Sequence, residues 1–144
     1  MKKLLVANRG EIACRIFRSA KSLDLTCVAV YSEADANAMH VKNADESILI
    51  GPAQATESYL KVTKVLTAAR DSQAEAIHPG YGFLAENADF ARQVIEAGLI
   101  WIGPTPDQIR DMGDKERGRA IANEAGVPVL SGSPSFGVGE TDRL

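Results

Sequence analysis

The segment His78-Pro79-Gly80-Tyr81-Gly82-Phe83-Leu84-Ala85-Glu86-Asn87 has the residue types and spacing best suited to chemistry in this chain. It follows an apolar run ending at Ile77, so a short strand should stop here and turn before a helix opens near Glu86. In an open α/β sheet, the loops leaving the carboxyl ends of the strands are where ligands bind. Gly80 and Gly82 allow positive φ and a close approach of backbone to a ligand, while Pro79 fixes the entry to the turn. Read from the residues alone, a binding loop and a purely structural turn account for this segment equally well.

Other chemistry-bearing residues give blander readings. His40 and His78 have no second His, Cys or carboxylate at ligand spacing, so no metal site is expected. Asp45 and Glu46 are adjacent and along a strand would point to opposite faces, which rules out a carboxylate pair. Arg9 and Glu11 follow the first strand, where local pairing or a domain-interface role is expected. Arg18 reads as a solvated charge. Cys14 falls in a helical pattern and Cys27 in a strand pattern, which suggests two buried free thiols.

The elements that must position these residues alternate along the chain. Residues 4–8 form a short apolar strand, and Gly10 opens a helix reaching about Leu23, with Ile12, Ala13, Ile16, Phe17, Ala20 and Leu23 on its apolar face. Residues 26–31 and 47–50 read as strands, and the spacing of Tyr59, Val62, Leu66 and Ala69 predicts a helix over 58–70. A strand over 74–77 precedes the glycine-rich turn. A helix over 86–97 turns Phe90, Ala91, Val94 and Ile95 inward and stops at Gly98. Residues 99–102 give a fifth strand. Asp114 is a good N-cap for a helix over 115–125, and 126–130 read as an edge strand before a Gly- and Ser-rich stretch. Strands that are apolar throughout, alternating with helices, imply a Rossmann-like parallel sheet covered on both faces. Right-handed crossovers then place the loops at 8–11, 31–35, 78–87 and 103–106 on one rim.

With 144 residues, 45% of them apolar and 24% charged, the chain can bury a core without metal or disulfide staples. A net charge of −3 without a basic stripe argues against nucleic-acid binding. There is no apolar run of transmembrane length. The four-residue apolar run after Lys2-Lys3 is too short for a signal peptide, which leads to the expectation of a cytoplasmic protein without membrane partners.

Five strings occur together in one order: Ala7-Asn8-Arg9-Gly10-Glu11-Ile12-Ala13, Ala44-Asp45-Glu46, the 78–87 segment, Ile102-Gly103-Pro104 and Met112-Gly113-Asp114-Lys115. In register, they resemble the N-terminal part of biotin carboxylase, the ATP-grasp component of acetyl-CoA, propionyl-CoA, methylcrotonyl-CoA and pyruvate carboxylases. The resemblance weakens after Ser133. It implies a pre-ATP-grasp domain over 1–112 and the beginning of an ATP-grasp domain over 113–144. It also implies a reaction in which Mg-ATP activates bicarbonate as carboxyphosphate and the carboxyl group passes to N1 of biotin. The partners implied are a biotin carboxyl carrier protein or domain, a carboxyltransferase, and a homodimer that Arg18 could reach. Tyr81 and Gly82 would lie near the biotin ring, and Lys115 would help bind ATP. The magnesium ligands and the catalytic residues fall outside these strings, so a fragment inactive alone is expected. Two other readings are a stand-alone binding or dimerisation module and a dinucleotide-binding domain. The second is disfavoured, since residues 8–13 supply one glycine where the fingerprint needs three.

Overall fold

The computed structural model describes residues 1–130 and contains a five-stranded, wholly parallel sheet of order β3-β2-β1-β4-β5. The strands are β1 (Lys3–Val6), β2 (Thr26–Ser32), β3 (Glu46–Gly51), β4 (Ala76–His78) and β5 (Ile100–Trp101). The helices are α1 (Gly10–Lys21), α2 (Met39–Asn43), α3 (Val62–Asp71), α4 (Ala88–Glu96), α5 (Pro106–Gly113) and α6 (Lys115–Glu124). The chain runs from β1 outward to β3, then returns to the other side of β1 for β4 and β5. Right-handed crossovers in opposite directions put their helices on opposite faces. Leu4, Val6, Cys27 and Ala29 accordingly pack with Ala13, Ile16, Phe17 and Ala20 of α1. On the other face, Leu5, Val28, Val30 and Ile77 pack with Val65 and Ala69 of α3 and Phe90 and Val94 of α4.

Several expectations need correction. The helix read over 58–70 begins at Val62, because Tyr59 is held in the preceding turn by contacts with distant residues. α1 ends at Lys21, leaving Leu23 71% exposed rather than inward. Ile95 is likewise exposed on α4, where Phe90, Ala91 and Val94 already fill the buried face. Residues 127–130 form no strand: the sheet ends at β3 and β5, and Leu130 is exposed. Cys14 is only half-buried, on the flank of α1, whereas Cys27 is buried.

Other readings hold. Asp114 accepts the backbone N–H groups of Glu116 and Arg117 and caps α6, and Gly98 stops α4 at φ 77°. Asp45 and Glu46 go to separate partners, Lys21 and Lys3. The Gly- and Ser-rich stretch from residue 131, with most of the second half of the 113–144 segment, lies outside the described residues.

Candidate functional site

The strand order reverses between β1 and β4, and a crevice opens there at the carboxyl ends of the strands. Asn8 leaves β1 into that crevice and is buried. Its Nδ2 donates to the carbonyls of Pro79 (2.8 Å) and Tyr81 (2.7 Å), and its Oδ1 accepts the Arg9 N–H. One side chain thus uses both its donors to fix the backbone of the glycine-rich turn. Gly80 is needed for this: it sits at φ 69°, and a Cβ there would lie 2.8 Å from Asn8 Nδ2. His78 completes the turn, its Nδ1 accepting the Gly80 N–H at 3.0 Å.

Beyond this anchored base the loop faces outward. Tyr81 is 62% exposed, and its hydroxyl donates to the Glu11 carboxylate in the first turn of α1. That hydrogen bond, with the charge of Glu11 behind it, pushes the Tyr81 phenol above its ordinary pKa. Gly82 sits at φ 63° with no atom within 4 Å of where a Cβ would stand, so its backbone is open to an incoming group. Phe83 follows at φ 44°, a strained conformation for a bulky residue. It is held there by stacking on Tyr59, with ring centroids 5.1 Å apart and planes inclined by 13°.

A polar node backs this stack. Asp35 Oδ2 accepts from Tyr59 Oη (2.7 Å), Ser32 Oγ (2.9 Å) and Arg9 Nη1 (3.0 Å). Arg9 also lies 5.4 Å from the Tyr59 centroid and 5.7 Å from that of Phe83. Burial by itself would raise the Asp35 pKa. The hydrogen bonds from Tyr59, Arg9 and Ser32 outweigh it and hold the carboxyl below its usual range. Burial, then the bond to Asp35, pushes the Tyr59 phenol up to about 12.

Arg9 and Glu11 are each paired within this chain, though with partners 26 and 70 residues away, and both pairs brace this rim. Tyr81 and Gly82 sit together on it. Tyr81 lines a depression of about 460 Å³ with Ile12, Arg15, Ile16, Gly80 and Ile102. Gly113, two residues before Lys115, lines a different one with Phe83 and Glu86–Asp89. Lys115 is exposed at the first position of α6. Asn8, Asp35 and Tyr59 were not singled out from the sequence. Asn8 could have been, as a polar residue ending an apolar strand directly beside a Gly. The other two act through contacts 24 residues apart that no local spacing reveals.

Burial disfavours the charged form of both histidines. His40 is fully buried with Nε2 3.2 Å from the Val30 carbonyl and Nδ1 without a partner, and burial lowers its pKa. Burial lowers that of His78 too, and protonating its Nδ1 would break the bond from Gly80. The folded protein then binds fewer protons than the unfolded chain near the ordinary His pKa, so stability rises with pH through that region. The urea midpoint should fall between about pH 7.5 and about pH 5.5, a window above the unfolded carboxylate range. Asp35 and Asp45, both shifted down, remain ionised there. A flat midpoint across this window contradicts the burial argument.

The profile of the biotin carboxylase N-terminal domain matches residues 1–109. This chain belongs to that family. The α3 subunit of a biotin-dependent acyl-coenzyme A carboxylase from Mycobacterium leprae is 59% identical over 132 residues, 92% of this chain and 22% of the relative. A biotin carboxylase from Halalkalibacterium halodurans is 54% identical over 132 residues, 92% of this chain and 29% of its own. Among solved structures, the biotin carboxylase domain of a single-chain bacterial carboxylase superposes with a TM-score of 0.86 at 45% identity, covering 92% of this chain and 31% of that one. The chain thus spans between a fifth and a third of the length of these relatives. No described helix is long and apolar enough to cross a membrane.

Proposed function

We propose that this chain supplies one wall of an active site in which ATP and bicarbonate provide the carboxyl group that biotin receives. The observation that carries this reading is the rim loop of a biotin carboxylase N-terminal domain, pinned by Asn8 and presenting Tyr81 and Gly82 outward. A ureido ring is flat and partly apolar with polar edges. It suits an exposed aromatic face beside a glycine backbone that nothing covers. For ATP the candidate is Lys115. The Asp114 carboxylate occupies the N–H groups of Glu116 and Arg117, so the Lys115 ammonium, not the bare helix end, is the group left to attract a polyphosphate. Asp114 also ends α5, which favours a domain boundary near residue 113. Magnesium, in this reading, is held by carboxylates beyond residues 1–144. The biotin arrives on a carrier and departs to a carboxyltransferase.

The test grafts this chain onto the rest of an enzyme, replacing the matching 132-residue segment of the H. halodurans biotin carboxylase. The graft should cleave ATP in a manner dependent on bicarbonate and free biotin, while the 144-residue chain alone should not. Within the graft, Tyr81→Ala should raise KM for biotin roughly threefold to tenfold, the worth of one aromatic contact. Lys115→Ala should raise KM for ATP. An active graft whose biotin KM ignores Tyr81→Ala removes the loop from the biotin site. Turnover by the isolated chain removes the idea of a single wall.

A further inference from the structure

Tyr81 would meet its ligand as an exposed ring on a loop, and such a ring populates several staggered rotamers unless something selects one. The backbone beneath it is fixed by Asn8, but that bond reaches only the Tyr81 carbonyl and leaves the side chain free to turn. The single hydrogen bond on the side chain runs from its hydroxyl to Glu11, 70 residues away on the other lip of the crevice. Glu11 is itself well placed to stay put. It lies in the first turn of a twelve-residue helix, where a carboxylate is favoured by the positive end of the dipole.

The pair contributes little to stability, because both side chains are exposed and solvent competes for the bond. Its consequence is orientation. An ionised acceptor gives the shorter and stronger kind of hydrogen bond, enough to prefer one ring position over its alternatives. The raised phenol pKa follows from the same contact.

We infer that Glu11 is a positioning residue for biotin binding, holding the Tyr81 ring in its binding orientation through the phenol hydroxyl. This rests on the placement of Tyr81 in the biotin site proposed above. Glu11 touches no reacting atom in this arrangement. It removes the ordering cost that a free side chain would impose on binding, an effect of about twofold to tenfold per immobilised side chain.

The experiment uses the graft described above, with free biotin as the probe. Glu11→Ala and Tyr81→Phe should each raise KM for biotin by about twofold to tenfold, with kcat and the KM for ATP held. The double variant should be no worse than either single one, because both remove the same bond. Glu11→Gln keeps an acceptor oxygen but not its charge, so its biotin KM should fall between those of Glu11→Ala and the unaltered graft. If Glu11→Ala leaves the biotin KM unchanged while Tyr81→Ala raises it, the positioning role is wrong and the biotin site stands. A fall in kcat at constant KM also overturns the role, since it would place Glu11 in the chemical step. If Tyr81→Ala itself has no effect, the biotin site fails and this inference fails with it.

Discussion

Asp35→Ala should destabilise the protein by about 3 kcal/mol, lowering the melting temperature by roughly 10 °C. One carboxylate oxygen serves three donors from three parts of the chain: Arg9 after β1, Ser32 at the end of β2, and Tyr59 before α3. Removing it leaves the hydroxyl of Tyr59, a residue only 2% exposed, without its acceptor. A hydrogen bond to a charged acceptor is worth about 1.5–3 kcal/mol, and a donor left unmet in the interior costs more than the bond itself gained. The ion pair with Arg9 adds less, because the Arg9 side chain is 46% exposed and water screens it. Asp35→Asn retains an oxygen for Tyr59 and should lose about half as much. Tyr59→Phe tests the same node from the other side, since the buried Ser32 N–H donates to the Tyr59 oxygen at 3.0 Å. A loss below about 1 kcal/mol for Asp35→Ala, read from urea unfolding, would show that the node is a surface contact and not a brace.

That node explains where the sequence was legible and where it was not. Strands apolar on both faces can only be buried in a covered parallel sheet, so β1, β2 and β4 declare themselves, and the helical stripes of α1 and α4 complete the order. The rim loops follow from topology alone. The glycine-flanked Tyr81 was visible from its local pattern, although that pattern alone did not separate a binding loop from a structural turn. Tyr59 misled: its spacing to Val62 and Leu66 fits a helix, yet its ring stacks on Phe83 and its hydroxyl reaches Asp35. A tertiary contact overrode a periodic pattern. The five-residue α2 is too short to show a period and is held by the burial of His40. α5 carries a readable signal in its sequence, since Thr105 and Gln108 form a capping box with Pro106 at its first turn.

Gly80→Ala should cost about 3 kcal/mol of stability and also weaken biotin binding in an enzyme carrying this domain. Two effects add. An L-residue at φ 69° is in the left-handed region, which costs about 1–2 kcal/mol once a Cβ is present. The new methyl would also stand 2.8 Å from Asn8 Nδ2 and 3.1 Å from its Cβ. Asn8 cannot swing aside cheaply, because it is buried and its amide holds both the Pro79 and Tyr81 carbonyls. Each bond given up costs about 1 kcal/mol. Gly82→Ala separates conformation from crowding. Gly82 has nearly the same φ but open space around it, so the folded chain should lose only the backbone share. In the graft, however, the Gly82 methyl would intrude where the ligand is proposed to approach. The two alanines should therefore rank in opposite order, Gly80→Ala worse in urea unfolding and Gly82→Ala worse in biotin KM relative to stability lost. Equal rankings in both assays would mean that Gly82 is open for no functional reason, and that the loop's glycines serve the turn alone.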